Sequence, residues 1–165
     1  MTADELLRLP EKACRYELVR GELRTRPFLG ARRSAMAAHL IVSLAAYSKR
    51  GQLVGADCGF WIERDPDTVR ATDVAFIRPE RIVHTEHFYP GAPDLAFEIL
   101  DWGNAEAEAR SAEWLRVGTP AVVLIDAEVQ RARVLRRGSI EVLTDVIVVD
   151  DVVHGWRMPF SEVFD

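Results

Sequence analysis

One carboxylate constrains this chain more than any other residue. Glu98 stands inside Gly91-Ala-Pro-Asp-Leu-Ala-Phe-Glu-Ile-Leu100, flanked by Leu95, Ala96, Phe97, Ile99 and Leu100. An apolar run of this length behind a Pro-Gly-Ala-Pro turn reads as a strand buried on both faces. An ionised carboxylate inside such a strand is costly unless it is paired, hydrogen-bonded or bound to a metal. Two solutions are open. Glu98 pairs with an arginine, Arg110 on the following helix being in reach. Or it shares a hard divalent cation with Asp73, the acid that leads a second continuous apolar run, Val74-Ala-Phe-Ile77. The local pattern alone leaves both standing.

The rest of the chain must supply the sheet that holds these strands. Thr2 and Glu5 form a capping-box pattern ahead of Leu6, Leu7 and Leu9, so residues 3–9 are expected to be a short helix stopped by Pro10. Arg15 to Leu18 and Glu22 to Arg26 flank Arg20-Gly21 and read as a hairpin. Strand alternation places Glu17 opposite Tyr16 and Leu18, either toward the cavity of Asp73 or on a solvated face. Met36, Leu40, Leu44 and Tyr47 mark a long amphipathic helix over 32–50, closed by Gly51. His39 beside that stripe reads as a packed or capping histidine.

Short strands follow over 53–56 and 59–63, then the Asp73 run and a loop from Arg78 to Pro93. That loop holds His84 and His87, with neither helical spacing nor a third ligand for zinc. After the Glu98 strand, Asn104 is a candidate N-cap for a helix over 105–117. Val122–Ile125 reads as a buried strand, 131–135 and 139–143 as a hairpin around Arg137-Gly138, and Val146–Val149 as a further strand. Trp156, Phe160 and Phe164 mark an apolar tail. The expected architecture is α/β (α+β): a mixed central sheet flanked by helices, one domain over residues 1–165.

Composition narrows the classes. The 48% hydrophobic and 28% charged content is that of a soluble globular protein. No apolar run approaches the roughly 18 residues of a membrane span, and Met1–Pro10 is acidic rather than signal-like, so a cytoplasmic location is expected. Cys14 and Cys58 are too few for a disulfide framework. A net charge of −5 argues against a protein that coats nucleic acid, though not against a nuclease whose acidic site carries several of those charges. Lys12 and Lys49 are the only lysines, and every later cation is arginine or histidine.

Three phrases in order carry a resemblance: Tyr16-Glu-Leu-Val-Arg-Gly-Glu-Leu23, Val69-Arg-Ala-Thr-Asp-Val-Ala-Phe76 and Gly91-Ala-Pro-Asp-Leu-Ala-Phe-Glu-Ile-Leu100. They resemble the Uma-type putative restriction endonuclease family of the PD-(D/E)XK nuclease superfamily, and the resemblance runs over most of the chain. It implies a restriction-endonuclease-like core and Mg²⁺- or Mn²⁺-dependent cleavage of DNA phosphodiesters. It also implies that Asp73 and Glu98 are the metal-binding acids and Glu17 the acid of the N-terminal hairpin. These types suit Mg²⁺, which takes hard oxygens at about 2.1 Å and only one or two carboxylates.

Departures from the family pattern bear on turnover. Thr72 stands where the family has proline, and Asp101-Trp-Gly-Asn104 replaces a Ser-Pro-Ser-Asp type loop. Arg33 lies close to the place of a family histidine, and Arg110 takes the place of its lysine. Arginine stays charged, so Arg110 can clamp a phosphate but cannot accept a proton. Without a metal, Arg110 is expected to point at the acids rather than only pair with Glu106 along the helix. The leading expectation is a metal-dependent DNA endonuclease with Glu17, Asp73, Glu98 and Arg110 at its site. The alternative is a catalytically weakened member acting as a nucleic-acid-binding or oligomerising module. A third reading is a structural protein with Glu98 in a salt bridge. A homodimer is expected from the resemblance and from the apolar area of the tail.

Overall fold

The computed structural model describes residues 1–10, 15–26, 28–47, 51–56, 58–100 and 105–164. Lys12, Cys14, Lys49 and the Asp101–Asn104 loop, with its candidate N-cap, lie outside the described residues. Two sheets meet at a corner. The first has the strand order β2-β1-β5-β4-β7, made of β1 (Arg15–Val19), β2 (Glu22–Arg26), β4 (Gly59–Glu63), β5 (Thr68–Ala71) and β7 (Tyr89–Pro90). The second runs β11-β10-β9-β8-β6-β3. Its strands are β3 (Gln52–Val54), β6 (Val74–Ile77), β8 (Leu95–Leu100), β9 (Ala121–Asp126), β10 (Arg131–Arg136) and β11 (Ser139–Leu143). Pairing of β8 with β9 is parallel while β6 pairs with β8 antiparallel, so the expected mixed sheet is the one observed.

The apolar run led by Asp73 is β6, as expected, and the stretch ahead of it belongs to the other sheet. Val69–Ile77 thus spans parts of two strands in two sheets, with Thr72 and Asp73 between them. The turn is pinned to β8: the Thr72 hydroxyl and the Asp73 N–H both donate to the Phe97 carbonyl, at 2.6 and 3.1 Å. Every residue from Thr68 to Ile77 is buried, so the corner lies at the centre of the molecule.

Helices cover the second sheet. Helix α2 (Ala31–Ala45) lays Met36, Ala37, Leu40 and Leu44 against Val74, Phe76, Leu95, Phe97 and Ile99. It stops at Ala45, short of the expected end, and Gly51 has a different task. A Cβ there would lie 2.4 Å from the Ile77 carbonyl oxygen, so only glycine allows the chain so close to β6. On the opposite face lies α3 (Ala105–Arg116), burying Ala107, Arg110, Ser111 and Trp114, a stripe at i, i+3, i+4 and i+7. The short helix α1 (Ala3–Leu7) carries the expected capping box of Thr2 and Glu5.

The tail is part of the core. Val152, Val153, Trp156, Phe160 and Val163 all pack in the α2-side cluster, and β12 (Val146–Val148) pairs with β13 (Arg157–Pro159) ahead of α4 (Phe160–Phe164). Trp156 stands edge-on to Phe97 at 5.8 Å and donates its indole N–H to Ser43. The tail thus spends its apolar area inside its own chain, and that area is not what a dimer would rest on.

Candidate active site

The corner between the sheets leaves strand N–H groups without ladder partners, and two acids take them. Beyond the last β6–β8 pair, Val74 with Phe97, the Ile99 N–H donates to Asp73 Oδ2 at 2.8 Å. Beyond the Leu18–Val69 pair of β1 and β5, the Ala71 N–H donates to Glu17 Oε1 at 2.9 Å. Both side chains are buried, and both are held by arginine. Arg33 grips Asp73 with two nitrogens, Nε at 3.2 Å from Oδ2 and Nη2 at 2.8 and 2.7 Å from Oδ1 and Oδ2. Arg26 donates to Glu17 at 3.1 Å and to the Ala71 carbonyl at 2.9 Å, while its other terminal nitrogen lies 3.7 Å from Asp73 Oδ1. Arg70 bridges Glu17 and Glu113, each at 2.7 Å. Glu17 therefore faces the Asp73 side, not solvent.

Glu98 follows from strand alternation. Phe97 and Ile99 point to the α2 side, so Ala96 and Glu98 point to the α3 side. There Arg110 donates to Glu98 Oε2 through Nε at 3.0 Å and Nη2 at 2.9 Å. The Trp114 indole donates to Glu98 Oε1 at 2.8 Å. Arg110 also lies 3.4 Å from exposed Glu106, so it makes both contacts weighed for it in the sequence. The pairing of Glu98 with Arg110, one of the two solutions open to a buried acid, is realised.

Charge and burial oppose one another here. Burial pushes the Glu98 pKa up, and neighbouring Asp73 pushes the same way, against the pull of Arg110 and Trp114. Burial works against the Arg110 charge too, but Glu98, Glu17 and Asp73 more than offset it and hold that pKa above its ordinary value. For Arg26 burial wins, aided by nearby Arg110, and its pKa falls. Among the described residues of the cluster, four carboxylates (Glu17, Asp73, Glu98, and the half-buried Glu113) face four guanidiniums (Arg26, Arg70, Arg110, and the half-buried Arg33).

The sequence reading singled out Glu17, Asp73, Glu98 and Arg110, and the structure gathers all four around the corner. It missed Arg26, Arg70, Glu113 and Trp114. Two signals were available: Arg70 interrupts a run that is otherwise buried, and Trp114 sits one helical turn past Arg110 on the same stripe. His84 and His87 lie exposed in their loop.

Comparison with known proteins decides the family. The sequence model of Uma2, described as putative restriction endonuclease, matches residues 3–161. The chain belongs to this family. A crystal structure of a putative nuclease belonging to DUF820 from Anabaena variabilis shares the fold, with a TM-score of 0.82 at 21% identity over 99% of this chain and 97% of that one. No curated protein matches the sequence. The restriction-endonuclease-like α+β architecture expected from the sequence is thus the observed one. Among the described residues no helix is long and apolar enough to cross a membrane.

Restriction-endonuclease-like families generally use divalent metals, so the donor set can be tested for one. Asp73 and Glu98 offer hard carboxylate oxygens, the type Mg²⁺ takes. Among the described residues, Asp73 Oδ1 and Glu98 Oε1 each accept a single hydrogen bond, from Arg33 and Trp114. A carboxylate oxygen has two acceptor sites, so each keeps one. The donor chemistry fits a hard cation. What opposes it is the guanidinium already on each acid. Among the described residues no cluster of three or more His, Cys, Asp or Glu side chains is placed to hold an ion, so protein ligands would be few and water or phosphate oxygens many.

Proposed function

We propose that this chain is a restriction-type endonuclease that hydrolyses DNA phosphodiester bonds with Mg²⁺ or Mn²⁺ at the corner between its two sheets. The observation that carries the reading is the convergence there of Asp73 and Glu98, two fully buried acids from different segments, each with an oxygen that accepts one bond among the described residues. Asp73 and Glu98 would hold the ion, which when bound activates water and screens charge building on the phosphate. The chain's own residues supply the frame. The Ile99 N–H fixes Asp73, and the Trp114 N–H fixes Glu98. Glu17 holds Arg26 and Arg70 in place, and Arg110 offers positive charge to the phosphate. Arg110 takes no proton, so base catalysis falls to solvent or to a carboxylate.

The reading takes residues 1–165 as one restriction-endonuclease-like domain working in the cytoplasm as a homodimer. The dimer is supported by the family resemblance and by Ile140 and Val142, which stand exposed on the edge strand β11. Its test is a plasmid-nicking assay with Mn²⁺ or Mg²⁺, run against Asp73→Asn. Nicking by the wild type that Asp73→Asn abolishes supports the reading; equal nicking by both overturns it.

A second reading has its own observation. The four acids and four arginines compensate one another, and Glu17 and Asp73 already have structural tasks at the corner. A weakened family member that binds nucleic acid or oligomerises needs nothing more from these residues. No cleavage by the wild type, with cleavage gained in Arg110→Lys, favours this reading.

A further inference from the structure

The four arginines of the cluster are not equally committed. Arg110 is 2% exposed and pairs with both Glu98 and Glu106. Arg26 is 4% exposed and holds the Ala71 carbonyl as well as Glu17. Arg70 is 8% exposed and ties β5 to α3 through Glu113. Arg33, at 11%, is the most exposed, and among the described residues every hydrogen bond it makes goes to Asp73.

Its place on the helix adds to this. Arg33 lies in the first turn of α2, which carries no acidic residue there, and the Gly30 N-cap offers no side-chain bond. The positive end of a helix dipole disfavours a cation. Arg32 beside it is anchored on the Ala127 carbonyl, so the helix start stays fixed if Arg33 moves. Among the described residues, the Asp73 pair is what keeps the Arg33 guanidinium inward.

We infer that Asp73 is a cation-exchange point, at which Arg33 and a divalent cation bind alternately, so that Arg33 sets how readily the site loads. The inference rests on the metal-dependent nuclease reading above and deepens it. With Arg33 withdrawn, Asp73 Oδ2 keeps the Ile99 N–H, while among the described residues Oδ1 keeps Arg26 at 3.7 Å and opens to an incoming cation. The released guanidinium stands at the rim, where its planar fork suits a DNA phosphate. Loading with cation and binding of phosphate then favour one another, because each takes one half of an ion pair that otherwise satisfies itself.

The test is Mn²⁺ binding measured by calorimetry on the whole chain, with no DNA and no turnover. Arg33→Gln removes the competing charge and is expected to bind Mn²⁺ at least tenfold more tightly than the wild type. Asp73→Asn in the Arg33→Gln background is expected to lose that binding. Equal affinities in wild type and Arg33→Gln, with loss on Asp73→Asn, overturn the exchange and leave the metal-site reading intact. Binding that survives Asp73→Asn overturns the metal-site reading itself, and the exchange with it. Absence of binding in both wild type and Arg33→Gln overturns the exchange as well. Should Arg33→Gln fail to fold, Arg33→Lys carries the test. It keeps the charge but loses the two-nitrogen grip, and a rise in Mn²⁺ affinity of at least threefold is expected, with an unchanged affinity overturning the proposal.

Discussion

Trp114 and Glu98, sixteen residues apart, meet through a 2.8 Å hydrogen bond from the indole N–H to Glu98 Oε1. The bond aims a carboxylate placed mid-strand in β8, at the second sheet's centre, and Trp114 is itself held edge-on to Phe60 at 5.7 Å. Trp114→Phe keeps an aromatic ring in that place and removes the donor. Glu98 keeps its Arg110 pair but loses a hydrogen bond to a charged group, which contributes about 1.5–3 kcal/mol. Urea unfolding of the variant should show a loss of that size. A variant as stable as the wild type would mean that the indole N–H does not matter to Glu98.

Arg110 has a structural role as well as the proposed catalytic one, and the two are separable. Arg110→Ala leaves Glu98 buried with its charge uncompensated, and breaking a buried pair from one side costs about 3–5 kcal/mol. Low cleavage in that variant is expected, by at least an order of magnitude or about 1.4 kcal/mol in the barrier, but it would not distinguish clamp from strut. Arg110→Lys does. It keeps the charge beside Glu98 and is expected to hold or raise Mn²⁺-dependent cleavage. Unfolding curves together with nicking rates decide, and a stable Lys variant that loses cleavage would contradict the clamp.

Two ion pairs at the periphery set an acid limit. Arg136 binds Asp151 at 2.9 and 2.7 Å and holds its carboxyl below the ordinary range, as Arg116 does for Glu63 at 2.7 Å. A carboxyl whose folded pKa is lowered adds stability that is complete above its unfolded value, about 4, and vanishes as pH falls through the folded value. Glu98 works in the opposite direction: with its pKa raised, the cost of its ionisation appears as pH rises. Asp151→Asn should cost about 0.2–1 kcal/mol at pH 7, the range of a largely exposed pair, and almost nothing near pH 2. A gap between variant and wild type that is the same at both pH values would contradict this.

The proposed dimer is checked by sedimentation. A second copy is expected at micromolar concentration, and only monomer would sink the proposal. Ile140→Lys with Val142→Lys places two charges on the exposed edge strand and should shift the protein to monomer without unfolding it. A dimer that persists unchanged would move the interface away from β11.

Much of the fold was legible in the sequence, because its signals are local. The capping box of Thr2 and Glu5, the hairpin about Arg20-Gly21, the Met36-Leu40-Leu44 stripe and the apolar run around Glu98 each state a period or a turn within a few residues. The acids were legible too, since a carboxylate inside an apolar strand needs a reason to be there. What the acids hold was decided only by tertiary structure. Arg33 reaches Asp73 across 40 residues and Arg70 reaches Glu113 across 43. No local rule pairs one arginine among many with one acid. The corner at Thr72 and Asp73 was hidden for the same reason: nothing local says that the residues before Asp73 join a different sheet from the apolar run after it, and only the pairing of β5 and β6 with different neighbours divides them. Sequence fixes which side chains demand a partner, because that demand follows from burial. The fold chooses the partner, because the choice depends on distances between segments far apart in the chain.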